Sequence, residues 1–124
     1  MELIEIYRCL CDETRLRILH LLQQGPLCVC HLQAALELPQ AAVSKHLAYL
    51  RRRGLVVARR HEQWAIYRLP ERCPRELDVQ LQCLQDCLQT HQTFRRDRQR
   101  LTALAPDCTW VTEKTSSHAA SRQG

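Results

Sequence analysis

Apolar residues recur along this chain at two periods, and the changes of period mark its elements. Leu3, Ile6, Tyr7 and Leu10 stand at helical spacing and predict a short helix over residues 2–11. Asp12 is placed to cap the next helix, whose apolar face is Leu16, Ile18, Leu19 and Leu22. Gly25-Pro26 stops that helix. Residues 28–37 read as a third, short helix on Val29, Leu32, Ala35 and Leu36, and Leu38-Pro39 turns into a fourth. There Val43, Leu47 and Leu50 form a buried stripe, with Ala41, Ser44, Lys45, Ala48 and Arg52 on the other side. Gly54 ends the helix after Arg51-Arg52-Arg53, cations suited to the negative end of its dipole.

Beyond Gly54 the period falls to two. Residues 55–60 and 64–69 predict two strands joined at His61-Glu62-Gln63. The fold class is therefore mostly α with a small β-hairpin: a winged helix-turn-helix. In that arrangement the second helix enters the major groove and the wing meets the backbone. After Pro70 and Pro74 the helical period returns in Leu77, Leu81, Leu84 and Leu88, with Val79, Cys83, Cys87 and His91 as a second stripe beside it. So wide an apolar face on a terminal helix predicts a homodimer, whose twofold axis would pair two reading helices with two half-sites. Residues 1–105 are expected to form one domain with dimerisation helices at both ends, and the Thr/Ser-rich residues 106–124 a flexible tail.

The chain's 124 residues allow one domain. Its formal charge is +5, and the whole excess lies between Lys45 and Arg68, where seven cations face Glu62 alone. A polyanion-binding surface requires such a concentration. Sixteen of the 18 basic residues are Arg, the side chain suited to bidentate phosphate and guanine contacts. Gln40, Ser44, Lys45 and His46 are the candidates for reading DNA, and Arg52 for reaching phosphate. Arg59, Arg60 and Arg68 are the wing candidates, although strand alternation can turn one or two of them away. His46 has a second reading as a packing or hydrogen-bonded residue. No apolar run is long enough to span a membrane, and the N-terminus lacks the features of a signal peptide, so a cytoplasmic location is expected.

In that compartment the eight cysteines are expected to stay reduced. There is no Cys-x-x-Cys, which argues against a thioredoxin-type pair and the common zinc ribbons. The chain has instead two Cys-x-Cys pairs, Cys9/Cys11 and Cys28/Cys30, and a Cys83-x3-Cys87 pair, with Cys73 and Cys108 isolated and unassigned. Cys83 and Cys87 share a helix face, where they suit a soft ion or simple packing at the dimer stripe. No phosphate loop, nucleophile elbow or zinc-hydrolase motif is present, and no enzyme is expected.

The segment Leu27-Cys28-Val29-Cys30-His31-Leu32 resembles the metal-binding motif of the ArsR family of metal-sensing repressors. Asp12-Glu13-Thr14-Arg15-Leu16, Val43-Ser44-Lys45-His46-Leu47 and the hairpin from Gly54-Leu55-Val56 match the family in the same order, over about residues 4–70. The resemblance implies a dimeric repressor that leaves its operator on binding trivalent arsenic (arsenite or methylarsenite) or antimonite, with Cys28 and Cys30 as ligands. Arsenite-binding members often read Cys-x-Cys-Asp-Leu-Cys, whereas this chain has His31 and Gln33 at the aspartate and third-cysteine positions. Cys83, Cys87, Cys9 and Cys11 are the further ligand candidates, with Cys11 assigned mostly to packing because the family's residue there is usually small and apolar. The wing turn lacks the glycine commonly found in the family.

Thiolate is the ligand that soft trivalent ions select, and a helix start favours the thiolate form. Residues two apart on a regular helix point about 200° away from each other. Joint coordination by Cys28 and Cys30 is therefore expected to unwind the helix start and tilt Ser44-Lys45-His46 out of register. The alternatives are a cadmium, lead or zinc sensor using Cys9, Cys11, Cys28 and Cys30, and a thiol redox sensor using Cys83/Cys87 or a disulfide between subunits.

Overall fold

The computed structural model describes residues 3–88 and 90–104, without the side chains of Cys87 and Leu88. In chain order the elements are α1 (Leu3–Leu10), α2 (Glu13–Leu22), β1 (Leu27–Cys28), α3 (Val29–Leu36), α4 (Gln40–Arg52), β2 (Val57–His61), β3 (Trp64–Arg68), α5 (Arg75–Leu88) and α6 (Gln92–Leu104). Most are bounded by the residues the sequence marks. Asp12 is extended, and its carboxylate accepts the amide of Arg15 at 2.9 Å, satisfying one of the orphan donors at the start of α2. Gly54, at φ +76°, closes α4: its amide reaches the Arg51 carbonyl at 3.0 Å, and that of Leu55 reaches Leu50 at 3.0 Å. These two hydrogen bonds make a Schellman cap, and Leu50 and Leu55 bury together beneath it.

The core gathers Ile6, Ile18, Leu19, Leu32, Leu47 and Leu77 between the helices, each fully buried. Val43, Leu47 and Leu50 face it as their spacing predicts. Tyr49 fixes α4 from the side, with the guanidiniums of Arg15 and Arg53 lying 4.1 and 3.6 Å from its ring centre. Arg53 also reaches Glu5 at 3.2 Å, so it turns inward while Arg51 and Arg52 stay exposed.

Three features depart from the sequence reading. Leu77 and Leu81, whose stripe predicts a dimer seam, are instead buried in the chain's own core, with Leu84 packed against it. The hairpin belongs to a three-stranded antiparallel sheet of order β1-β3-β2, in which Leu27 and Cys28 pair with Tyr67 and Ile66. Further, the helical stripe through Cys83, Cys87 and His91 is not continuous: α5 ends at Leu88, and α6 packs back on α2 and α3. Asp97 of α6 explains that docking. Fully buried, it accepts Nε and Nη2 of Arg17 at 2.8 Å each and Nη2 of Arg100 at 3.0 Å. The same two arginines donate to α3: Arg17 to the Leu36 carbonyl at 2.9 Å and Arg100 to the Ala35 carbonyl at 2.6 Å. The last turn of α3, closed by Glu37 at φ +55°, thus obtains its missing donors from its neighbours.

His20 is buried under the same helix, edge-on to Phe94 with ring centres 5.7 Å apart, and its Nδ1 finds no hydrogen-bond partner among the described residues. Burial pushes its pKa below the ordinary 6.5; Arg98 adds to the effect and Asp97 opposes it. The folded state therefore binds the proton less well than the unfolded chain. His20's contribution is fully present above about pH 6.5 and is lost as pH falls through and below that value. Urea midpoints measured from pH 7.5 to 5.5 should fall with acidification, and His20→Gln should reduce that fall; an unchanged pH profile in the variant would refute the assignment.

Candidate functional site

The sheet extension and the start of α3 together build the thiol site. Cys28 is the last residue of β1 and the N-cap of α3, with extended angles of φ −85° and ψ 161°. It therefore lies outside the helix that holds Cys30. This corrects the expectation that both thiols share a helical turn and diverge. With Cα atoms 5.4 Å apart, Cys28 and Cys30 are joined by a disulfide, so their sulfurs meet without any unwinding. This pair also departs from the expectation of reduced cysteines throughout the chain.

His31 completes the group. Its Nδ1 lies 3.2 Å from Sγ of Cys28, and the donor atoms of Cys28, Cys30 and His31 all fall within 4.8 Å of one another. Cys28 and His31 are buried, whereas Cys30 is exposed. Burial lowers the imidazole's pKa, favouring its neutral, lone-pair-bearing form. Two sulfurs and an imidazole nitrogen are a donor set for soft and borderline ions.

The other cysteines stand apart from this group among the described residues. Cys9 is buried in the core, and burial raises its thiol pKa; Cys11 is exposed, contrary to a packing role. Cys83 is an exposed thiol on α5, and the side chain of its expected mate Cys87 lies outside the described residues, as does Cys108. Cys73 is half-buried, its thiol 3.5 Å from the Pro70 carbonyl and its pKa raised by burial and by Asp78. It lines a polar cleft of about 750 Å³ between the end of α2, the exit of β3 and α5.

The candidate nucleic-acid residues divide by exposure. Gln40, Ser44, Lys45 and Arg52 are exposed along α4. His46 is half-buried with its Nδ1 3.7 Å from the Asp12 carboxylate, which matches the packing alternative. The pairing of β2 with β3 places Arg59 opposite Ile66 and Arg60 opposite Ala65, so the two arginines leave opposite faces of the wing, both exposed. Arg68 donates to the Leu69 carbonyl at 3.1 Å and lines the cleft beside Cys73. At the wing tip Glu62 takes φ +57°, the left-handed conformation that glycine would adopt more readily. A partly exposed Trp64 closes the turn opposite His61.

Residues 12–57 match the family model described as bacterial regulatory protein, arsR family. The arsenic resistance transcriptional regulator ArsR1 of Pseudomonas putida is 44% identical over 85 residues, covering 68% of this chain. The arsenical resistance operon repressor of Escherichia coli (strain K12) is 46% identical over 72 residues, covering 57% of this chain. The matched stretches span 66% and 62% of those relatives, just under two thirds of each. Among solved structures, the AntR antimony-specific transcriptional repressor superposes with a TM-score of 0.56 at 34% identity, covering 70% of this chain and 80% of its own. These relatives are transcriptional regulators, not enzymes.

Proposed function

The chain belongs to the ArsR family of bacterial regulatory proteins, and from that premise we propose that it is a transcriptional repressor which leaves its operator when trivalent arsenic or antimony binds Cys28 and Cys30. The observation that carries this reading is the meeting of Cys28, Cys30 and His31 where β1 runs into α3, the helix that precedes the exposed Gln40, Ser44 and Lys45. The relatives named for arsenic resistance and antimony specificity support a trivalent metalloid as the signal.

The pairing of β1 with β3 supports this reading by offering a route of coupling. Cys28 pairs with Ile66, so an ion drawing on Cys28 acts on the wing strand β3 and on α3 at once. DNA binding favours one arrangement of that junction and metalloid–thiolate bonding another, which makes the two ligands mutually exclusive through one element. The protein acts in the cytoplasm as a homodimer. Support for the dimer comes from an exposed apolar face made by Leu3, Ile4 and Tyr7 of α1 and Val79 of α5, helices tied by Gln80 Nε2 donating to the Tyr7 hydroxyl at 3.2 Å.

A second reading has its own observation. The Cys28–Cys30 disulfide places the same junction within reach of an oxidant, which favours a redox-sensing repressor at this pair over one at Cys83/Cys87. Operator-fragment anisotropy separates the two. Protein reduced with a phosphine should release DNA on addition of arsenite, methylarsenite or antimonite, and Cys28→Ser/Cys30→Ser should bind DNA but stay bound. Release by peroxide in metal-free buffer, with none by the metalloids, would replace the first reading with the second. Release by cadmium or zinc at near-stoichiometric levels would move the signal to divalent ions.

A further inference from the structure

Resting on the metalloid reading above, we propose that His31 is the third donor of this site, so that the ion is held by two thiolates and one imidazole rather than by three thiolates. An N-cap side chain and the side chain three residues on normally meet in a capping box. Cys28 and His31 occupy those two positions, and Cys28 makes no side-chain hydrogen bond to the helix start. The meeting is therefore of Sγ with Nδ1, at 3.2 Å.

That spacing suits one ion. Sulfur and nitrogen held at about 2.3 and 2.1 Å from a common centre stand about 3.1 Å apart at a right angle and about 3.6 Å apart at the tetrahedral angle. The observed 3.2 Å falls between these values, so Sγ and Nδ1 can share one ion with little movement of either residue. Cys28 and His31 are held by burial, 1% and 8% exposed, and the exposed Cys30 is the arm that closes on the ion once its disulfide has been reduced. With arsenite, each As–S bond forms as one As–OH bond breaks, the thiol proton leaving with that hydroxide as water. The imidazole lone pair displaces the third hydroxide, which takes a proton from solvent and leaves as water. Arsenic stays trivalent throughout. Gln33, at the position of the third cysteine in three-thiol members, is then not needed as a ligand.

The test is arsenic X-ray absorption on phosphine-reduced, arsenite-loaded protein, beside binding titrations. The wild type should show two sulfur neighbours, one lighter neighbour and the outer-shell scattering of an imidazole. His31→Ala should lose the imidazole signature and weaken arsenite binding about tenfold or more, while His31→Cys should give three sulfurs and recover affinity. Retained operator binding by both variants establishes that they fold. Three sulfurs in the wild type, or identical spectra for the wild type and His31→Ala, would overturn His31 as a ligand and leave the metalloid reading standing. Absence of arsenite binding, or full binding by Cys28→Ser/Cys30→Ser, would overturn both.

Discussion

Asp97→Ala is expected to cost about 3–5 kcal/mol, because it leaves the desolvated guanidinium of Arg17 without its counter-charge and Arg100 with only Glu37, 3.8 Å away. The side chain of Arg17 is 12% exposed and that of Arg100 29%, and both depend on a carboxylate that is fully buried. A small domain has about 5–15 kcal/mol in total, so the loss is large enough to release α6 and lower the melting temperature by roughly 10 °C or more. Asp97→Asn should fall between, since one amide oxygen accepts where two carboxylate oxygens now do. Thermal melts followed by circular dichroism decide the matter. A loss below about 1 kcal/mol for Asp97→Ala would mean that Phe94, Leu101 and Leu104 hold α6 without the ionic network.

The second large effect concerns DNA. Removing both exposed wing cations, Arg59→Ala/Arg60→Ala, should weaken operator binding about tenfold for each arginine that contacts phosphate. It should also lower the magnitude of the log–log salt slope by about 0.9 per lost contact, hence by about 1.8 per position in a homodimer and about 3.6 if both positions reach DNA. The loss should be the same for operator and random duplex, because phosphate contacts carry no sequence information. Since the two side chains leave opposite faces of the wing, a slope change of about two per dimer would show that one face alone meets the backbone. Lys45→Ala and Ser44→Ala should instead change which sequence is preferred. Anisotropy titrations at several salt concentrations measure both quantities, and an unchanged slope in the double variant would remove the wing from the interface.

The helix-turn-helix was readable because local signals and core packing agree there. Asp12, Gly25-Pro26 and Gly54 punctuate the helices, and Val43, Leu47 and Leu50 bury as their period requires. β1 was not readable: a strand of two residues carries no period, and Leu27-Cys28 becomes strand only by pairing with Tyr67 and Ile66 far along the chain. The break after Leu88 has no proline or glycine to announce it. α6 docks through Arg17, Asp97 and Arg100, and an ion pair spanning 80 residues leaves no trace in hydrophobic spacing. In the site, the Cys-x-Cys spacing is plain in the sequence, but helix geometry alone sets the two thiols apart. Only the extended angles of Cys28 bring them together and place His31 beside them.

The anchoring of α3 at its far end gives the molecule a mechanical character. Eight residues make a rod about 12 Å long, held by the arginines at Ala35 and Leu36. A pull of about 1 Å at the cysteine end turns such a rod by about 5°, with the fulcrum at Glu37. The thirteen-residue α4 begins three residues beyond that fulcrum and extends about 20 Å, so the same rotation carried rigidly would sweep its tip by more than about 1.5 Å. Hydrogen bonds to base edges tolerate only a few tenths of an ångström. On the function proposed above, the chain would work as a lever with its short arm at the thiols and its long arm toward the groove.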